Sequence, residues 1–384
     1  MDAHTGWIGR GEALARLGVK PQTLYAYVSR GRITAQPDPH DPRRSLYAAA
    51  DIARLTGDPD APPGPTPRKA PGRGEVEIKS AVSLIEDGRL FYRGLDAAQL
   101  SQGATLEDAA RRLWDARDNP FAALKPRVDL VGGASIRARL FACLGRRAEE
   151  DGSSLGRTAE ALTLEAASVL NEAVDAAAGS GPRTWFHQRL GRAWKVVERD
   201  THMLRRALVL SADQGLDGPA VAARAAADGG APMAGAALAG LTTLYGSALS
   251  REAARASAWV VEARRDPVRA TAHRMQTAGG VPGFGDADWP GGDPRAAALL
   301  AALDLPRDLE GVVREGEAAT GGKASFVMAL SILARRLDLP RDGALDLLLV
   351  GRLAGLLAHG LDQRNDGSPM RVRLRYVGPE PGAH

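Results

Sequence analysis

The feature that most constrains the fold is the spacing of apolar residues in the long C-terminal part of the chain. In segments such as LEDAARRLWDA, AEALTLEAASVLNEAVDAAA and ALDLLLVGRLAGLLAHGLDQ, apolar residues recur at i, i+3 and i+4. This spacing places them on one face of a helix. The chain has 384 residues and 44% hydrophobic content. We therefore expect an all-α globular body with a large core and about two or three domains in all.

A segment rich in proline and glycine divides the chain. Residues 57–74 read GDPDAPPGPTPRKAPGRG, without helical periodicity or strand alternation, which is typical of a linker. We expect a module at residues 1–56 and a body at residues 75–384. The net charge of +4 lies in the first 74 residues, which hold 11 basic and 7 acidic residues, because the remaining 39 of each sign cancel. This distribution indicates a polyanion partner for the module.

The cysteine content and the N-terminal segment of the sequence indicate the cellular compartment of the protein. The single cysteine, Cys143, excludes a disulfide framework within one chain and is typical of a buried apolar residue. The N-terminal MDAHTGWIGRGEAL lacks a signal-peptide pattern, and no uncharged apolar run of about eighteen residues occurs. We expect a cytoplasmic protein without a membrane partner or a metal site.

The N-terminal module has helix-turn-helix spacing. Residues 12–17 read as a short amphipathic helix, residues 18–20 as a tight turn, and residues 21–30 as a second helix with proline at its start. A polar, hairpin-like stretch with a basic turn then leads into an apolar helix that ends near residue 56.

Residues 7–56 therefore resemble the winged helix-turn-helix of MerR-type regulators. The resemblance implies that the second helix enters the major groove of DNA and that the wing contacts phosphates. The residues that it places on DNA are Gln22, Thr23 and Tyr27 toward the bases, and Arg30, Arg32, Arg43 and Arg44 on the backbone. A second interpretation stays open, in which the module only packs against a partner or dimerises.

Seven ordered segments of the body carry another resemblance. They are IKSAVSLIEDGRLFYRGLDAAQLSQGATLEDAARRLWD, ALVLSADQGLDGPAVAARAAA, LTTLYGSALSREAA, VPGFGDADWPGGDPRA, SFVMALSILARRLDLP, VGRLAGLLAHGLDQ and MRVRLRYVGPEP. Together they are similar to citrate synthase, whose patterns include DHELNASTFAAR, LGPLHGGA and PGFGH followed by DPRA. The resemblance covers residues 78–380, with 116–200 poorly matched. It implies a two-domain helical body with a smaller domain at about 214–325, assembled as a homodimer.

The resemblance also implies which chemistry to look for. The family condenses acetyl-CoA with oxaloacetate: an aspartate removes a proton from the acetyl methyl group, one histidine supports the enol oxygen, a second polarises the ketone, and arginines bind the carboxylates. A barely acidic carbon requires such a positioned base and a preorganised donor. No cofactor is bound permanently, and acetyl-CoA enters only as a co-substrate of an active enzyme.

Carried over to this sequence, the carboxylate-binding residues are kept and the chemistry residues are replaced. The retained arginines are Arg295, Arg352 and Arg371. The replaced positions hold Leu249 and Asp286 instead of the two histidines, Ser325 instead of the aspartate, Gln214 instead of a substrate-contacting histidine, and Pro290 instead of an arginine near the cofactor phosphates. None of the seven histidines occupies these positions, and His359 matches a helical position not tied to chemistry.

The loop VPGFGDADWPGGDPR contains three of these residues, Asp286, Pro290 and Arg295. Its glycines and prolines suggest uncovered backbone amides, and Arg295 ends it, which is typical of an anion-binding loop. Its central polar residue, however, is Asp286. Three interpretations of Asp286 stay open: a base for different chemistry with a pKa raised by burial, an ion-pair partner of Arg295 or a neighbouring arginine, or an exposed residue without a role.

Three functions follow from these residues. The leading hypothesis is a catalytically degenerate family member that binds a di- or tricarboxylate and acts as a regulator through its N-terminal module. The alternative is an active acyltransferase that condenses an acyl-CoA with oxaloacetate or a related keto-acid, with Asp286 as a weak catalytic candidate. The third is a structural subunit that forms a heterodimer with an active relative.

Overall fold

A computed structural model describes residues 7–29, 33–38, 41, 44–56, 78–122, 124, 129, 131–179 and 184–370. The chain separates into two compact units, Met1–Ile78 and Lys79–His384, called here the N-terminal unit and the body. α-Helices account for most of the described residues, which confirms the expected mostly helical class. The predicted linker at 57–74 lies outside the described residues.

The N-terminal unit combines three helices with a three-stranded antiparallel sheet of strand order β1-β3-β2. Its elements are β1 (Trp7–Gly9), α1 (Arg10–Leu17), α2 (Pro21–Ser29), β2 (Ala35–Pro37), β3 (Ser45–Ala48) and α3 (Ala49–Thr56). Gly18 ends α1 in the left-handed region, with φ of 65°, and its N–H bonds to the carbonyl of Leu14. Glycine adopts this conformation without steric cost, so the chain can turn sharply into α2.

A small core holds the N-terminal unit together. The buried apolar residues are Ile8, Ala13, Leu24, Ile33, Tyr47 and Ile52. They come from both strands and helices, so the helices are fixed to the sheet. The two helices and the turn between them lie where the sequence predicts them. The winged helix-turn-helix assignment itself stays a prediction.

The body begins with a three-stranded antiparallel meander and continues with helices. The strands are β4 (Ser83–Glu86), β5 (Arg89–Tyr92) and β6 (Leu95–Asp96). The helices are α4 (Ala97–Leu100), α5 (Leu106–Trp114), α6 (Ile136–Glu150), α7 (Ala159–Ala178), α8 (Phe186–Ala193), α9 (Thr201–Leu210), α10 (Gly218–Asp228), α11 (Met233–Gly246), α12 (Ala248–Ala263), α13 (Pro267–Ala278), α14 (Pro294–Ala301), α15 (Arg307–Thr320), α16 (Phe326–Arg336) and α17 (Gly343–Asp366). A short 3-10 turn, Glu198–Asp200, precedes α9.

Helix α17 is the centre of the body. It packs against α5, α7, α9, α10, α11 and α16 and is buried along nearly its whole length. Among the described residues it is the one helix long and apolar enough to cross a membrane, but its apolar stretch is buried inside the protein. A core helix passes the same test of length and composition, so this is weak evidence for a span.

Two glycines let α17 approach the end of α9 very closely. A Cβ added at Gly355 would lie 2.2 Å from the carbonyl oxygen of Ala212, and one added at Gly351 would lie 2.5 Å from the Cβ of Ser211. No larger residue fits there without moving backbone. The approach brings Arg352, which lies between the two glycines, against the α9–α10 connection.

The predicted smaller domain at about 214–325 stays a prediction. Helices α10 and α11, which it includes, pack against α17 and against each other. Helices α12 to α15 form a neighbouring group in which α13 packs on α15 and α12 on α16. All of them belong to the single unit Lys79–His384.

Candidate functional site

Three of the residues singled out in the sequence meet where α14, α17 and the α9–α10 connection converge. Arg295 is the second residue of α14, Arg352 lies in the middle of α17, and Gln214 lies in the connection. Together with Asp213, Asp217 and Asp293 they form what we call the two-arginine cluster.

Arg295 is buried and bound by its own helix cap. Its Nε and Nη2 donate to the Asp293 carboxylate at 3.0 and 2.7 Å, and its Nη1 donates to Gln214 Oε1 at 3.2 Å. The guanidinium lies 4.6 Å from the ring centroid of Phe326 and 5.8 Å from that of Trp289. Bidentate pairing and aromatic stacking fix the orientation of this side chain.

Arg352 is paired with two carboxylates. Its Nη1 donates to Asp213 Oδ1, and its Nη2 donates to Asp217 Oδ1 at 2.7 Å. Arg352 and Asp213 are among the most buried charged residues of the body, at 1% and 0% exposure. Burial alone would raise the pKa of Asp213, but Arg352 and His359 outweigh it and hold that pKa well below its usual range.

Gln214 connects the two arginines. Its Oε1 accepts from Arg295, while its Nε2 donates to Asp217 Oδ2 at 2.7 Å. Asp217 also caps α10, because its Oδ1 accepts from the backbone N–H of Ala220 at 2.9 Å. A continuous hydrogen-bonded chain therefore runs from Arg295 through Gln214 and Asp217 to Arg352.

A further layer of buried polar residues supports Asp213. His359 Nε2 lies 3.3 Å from Asp213 Oδ2, and His359 Nδ1 accepts from Arg224 Nε at 3.3 Å. Ser83 donates to the same Asp213 oxygen. The Asp213 N–H donates to the Tyr92 hydroxyl at 3.1 Å. Asp213 is thus hydrogen-bonded to residues of the meander and contacted by Arg352 and His359 of α17.

Sequence reasoning missed four charged residues of this region. Asp213, Asp217, Arg224 and Asp293 were not singled out, although a position-by-position comparison would have flagged the first three. On the pattern DHELNASTFAAR, this chain reads DQGLDGPAVAAR from Asp213 to Arg224, so Asp217 replaces an asparagine and Arg224 is kept. Asp293 is part of the DPR motif, in which only the arginine was considered.

The other replaced positions carry no proton-transfer group. Leu249 is half-buried and packs against the core. Ser325 caps α16, because its Oγ accepts from the Met328 N–H at 3.4 Å, and its own N–H donates to the Gly283 carbonyl at 2.9 Å. Both residues are explained by packing and capping, with no acid or base in place of the family's histidine and aspartate.

Two glycine amides of the Gly-rich loop are bonded to protein acceptors, while the interpretation as an anion-binding loop stays a prediction. The Gly283 N–H donates to Glu252 Oε1 at 2.6 Å, and the Gly285 N–H donates to the Lys323 carbonyl at 2.8 Å. Both glycines are in the left-handed region, with φ of 84° and 76°. The loop is therefore held by its protein neighbours, which occupy the N–H donors of these two glycines.

Asp286 stabilises its own loop. Its Oδ1 accepts from the Asp288 N–H at 2.9 Å, the hydrogen bond of an Asx turn. The proposed ion pair with Arg295 is not present among the described residues, because Arg295 is bound by Asp293 instead. Burial raises the pKa of Asp286, and the carboxylates of Asp293 and Asp288 add to the effect, while the Asp288 N–H and Arg295 oppose it.

Several predicted site residues lie outside the described part of the chain. These are Arg371, Arg30, Arg32 and Arg43. Of the remaining DNA-facing candidates, Gln22 is exposed and Thr23 half-buried, whereas Tyr27 packs partly against the core of the N-terminal unit. The exposed tyrosine of α2 is Tyr25, which lies under the guanidinium of Arg10 at 5.3 Å. Arg44 is exposed and lies 3.3 Å from Asp41.

Two cavities of the body lie elsewhere. One of about 620 Å³ lies beside Trp194 and Asp346, and one of about 510 Å³ lies beside Glu107 and Trp185. Neither is lined by a residue of the two-arginine cluster. We take the cluster as the candidate site because it gathers the motif residues. No group of three or more His, Cys, Asp or Glu side chains fit to hold a metal occurs in the described ranges.

The sequence matches the family model for the citrate synthase C-terminal domain over residues 144–373. The chain belongs to the citrate synthase family. No curated protein sequence matches it closely enough to count as a relative.

Solved citrate synthase structures share the fold. Those from Thermotoga maritima MSB8, Thermoplasma acidophilum and Pyrobaculum aerophilum are 18, 17 and 16% identical, with TM-scores of 0.61, 0.64 and 0.61. The matches cover 82, 82 and 80% of this chain and 97, 97 and 92% of theirs. The Thermoplasma acidophilum structure is a ternary complex with carboxymethyl coenzyme A and oxaloacetate. The citrate-synthase-like architecture of the body is confirmed.

We predict that Arg352→Met lowers the free energy of unfolding by about 3–5 kcal/mol, because it leaves Asp213 as an unpaired buried charge. Since the folded-state pKa of Asp213 is depressed, this contribution is present above about pH 4 and is lost as the pH falls further. Urea unfolding at neutral pH measures the effect.

Two further variants make this test specific. Arg314→Met removes an arginine from the exposed face of α15 and should change stability by less than about 1 kcal/mol. Adding Asp213→Asn to Arg352→Met should recover part of the loss by removing the orphaned charge. Equal stabilities of Arg352→Met and Arg314→Met would contradict the buried ion pair.

Proposed function

We propose that this protein is a non-condensing member of the citrate synthase family that binds a carboxylate-bearing metabolite at the two-arginine cluster. The observation that carries the proposal is the contrast within one site. Arg295 and Arg352 converge on Gln214 and Asp217, while the positions of the family's acid and base hold groups engaged in packing, capping or a turn.

The size of the missing contributions supports the loss of catalysis. A general acid or base typically contributes about 10²–10⁴ in rate, and an oxyanion donor about 10²–10³. Leu249 and Ser325 supply neither, and Asp286 already accepts a hydrogen bond from its own loop. Removal of several such groups reduces the family's reaction to background.

The donors left over in the cluster support binding. Arg352 Nε has no hydrogen-bond partner within the described part of the chain, and Arg295 Nη1 is shared only with Gln214. A ligand carboxylate that accepts from these donors forms charge-assisted hydrogen bonds worth about 1.5–3 kcal/mol each. Arg371, outside the described residues, remains a proposed third contact.

The N-terminal unit supports a regulatory role. Its order of helix, tight turn, helix, hairpin and helix agrees with the resemblance to MerR-type regulators. We propose that residues 7–56 bind DNA and that the family's homodimer presents two copies to a palindromic site. A cytoplasmic location and the absence of a permanently bound cofactor belong to the same proposal.

One observation favours a second candidate function. Burial raises the pKa of Asp286, and this is the direction of shift that suits a general base. In that case the protein would be an acyltransferase with acetyl-CoA as co-substrate. A heterodimer with an active relative is a further proposal about assembly, and co-purification of that relative would support it.

We expect oxaloacetate, malate or citrate to change the intrinsic fluorescence of the protein, because Trp289 is buried beside Arg295. Trp289→Phe should remove the signal without removing binding measured by calorimetry. Arg295→Lys keeps the positive charge but loses the planar guanidinium group, which can donate two hydrogen bonds to one carboxylate. This variant should weaken ligand binding by about tenfold or more. The exposed control Arg314→Lys should bind as the wild type does. Absence of binding by any carboxylate would contradict the proposal.

We expect the full chain to bind a pool of random-sequence DNA duplexes with an affinity that falls steeply as salt rises. Arg44→Gln should reduce the slope of log K against log salt by about 1, because one phosphate contact is lost. Arg314→Gln in the body is the matched control and should leave the slope unchanged. DNA binding that does not depend on salt, or no DNA binding, would contradict this prediction. Either result would favour the other interpretation, in which residues 7–56 only pack against a partner or dimerise.

A further inference from the structure

The side chains that a ligand meets first at the two-arginine cluster are mostly acidic. Arg295 and Arg352 are only 5% and 1% exposed. The half-buried side chains of this region are instead Gln214, Asp217 and Asp286. A molecule that approaches from solvent therefore encounters an amide and two carboxylates above the deeper guanidinium groups.

The cluster contains more carboxylates than guanidinium groups, and this excess of negative charge disfavours a purely anionic ligand. Its two arginines are matched by three carboxylates, those of Asp213, Asp217 and Asp293. Asp286 adds a fourth acidic group, close enough to Arg295 to interact with it electrostatically. A ligand that carries only carboxylates would add to this negative excess, since like charges in a desolvated site repel strongly.

The cluster nevertheless contains an unused cationic donor. Arg352 Nε, on a side chain that is almost fully buried, has no partner among the residues described. A buried donor of a charged group is costly to leave without an acceptor. The site thus presents both an unsatisfied donor for an anionic group and partly exposed acceptors for a cationic one.

Both half-buried carboxylates are departures from the family's sequence patterns. Asp217 stands where DHELNASTFAAR has an asparagine, and Asp286 stands where PGFGH has a histidine. Each change replaces a neutral or basic side chain with an acid. The two changes act in the same direction, toward a ligand that carries a positive charge.

From these contacts and charges we infer that the metabolite bound at the two-arginine cluster is a zwitterionic α-amino acid rather than a 2-oxo acid. Its carboxylate accepts from Arg352 Nε and Arg295 Nη1, and its ammonium group faces the carboxylates of Asp217 and Asp286. The inference rests on the proposed function, because it assumes that this cluster is the binding site and specifies only the class of ligand.

Calorimetric titration of the full chain with three matched pairs tests it: alanine and pyruvate, aspartate and oxaloacetate, glutamate and 2-oxoglutarate. The two members of a pair differ mainly in an amino or an oxo group on the same carbon skeleton. For the pair with the best-fitting skeleton, we expect the amino acid to bind at least about tenfold more tightly, the effect of one charge-assisted hydrogen bond.

Asp217→Asn identifies the residue that sets this preference. Asparagine keeps an oxygen for the Ala220 N–H and for Arg352, so the cap of α10 is preserved. The variant should lose most of the preference for the amino acid and gain affinity for the oxo acid. Asp304→Asn, an exposed change beyond the far end of α14, should leave the preference unchanged.

The outcomes separate the inference from the proposed function. Equal or tighter binding of the oxo acid, in wild type and in Asp217→Asn alike, would overturn the inference while leaving carboxylate binding intact. Absence of binding by all six compounds, and by malate and citrate as well, would overturn both.

Discussion

The buried ion pair between Arg352 and Asp213 is the interaction on which the rest of the site depends. Two glycines on α17 allow the close approach that places Arg352 beside the α9–α10 connection. Asp213 is then bonded by Ser83 and Tyr92 from the meander and approached by His359 from α17. Because all of these groups except the half-buried Ser83 are desolvated, they depend on one another to stay charged or hydrogen-bonded.

Under the proposed function, the same pairing explains how a citrate synthase fold can keep its arginines and use them differently. Asp293 binds Arg295, and Asp213 and Asp217 bind Arg352, so both guanidinium groups are neutralised by the protein itself. In the Gly-rich loop, too, protein groups occupy donors. Glu252 accepts from the Gly283 N–H, and the Lys323 carbonyl accepts from the Gly285 N–H. Under that proposal, a site arranged in this way is suited to bind a ligand that carries both a positive and a negative charge. It is less suited to stabilise a negative charge that develops during a reaction.

The sequence predicted the helical class, the two N-terminal helices and three members of the cluster, because helical periodicity and short motifs are local signals. It did not reveal that Asp293 rather than Asp286 binds Arg295, although both acids lie in one loop, because only the fold determines which reaches the guanidinium. The hydrogen bond from the Gly283 N–H to Glu252 could not be predicted from the sequence either, because the two residues lie 31 positions apart. Asp217 and Arg224 were missed for a different reason: they stand in a motif that was compared only at its substrate-contacting histidine.

The most direct test of the account is the release of CoA from acetyl-CoA in the presence of oxaloacetate, measured beside a citrate synthase whose catalytic residues are intact. The proposed function predicts no release above background, even at high protein concentration, because Leu249 and Ser325 supply no acid or base and Asp286 accepts a hydrogen bond within its own loop. Release at a rate comparable to the control, and abolished by Asp286→Asn, would contradict it and identify the protein as an acyltransferase with a different catalytic base.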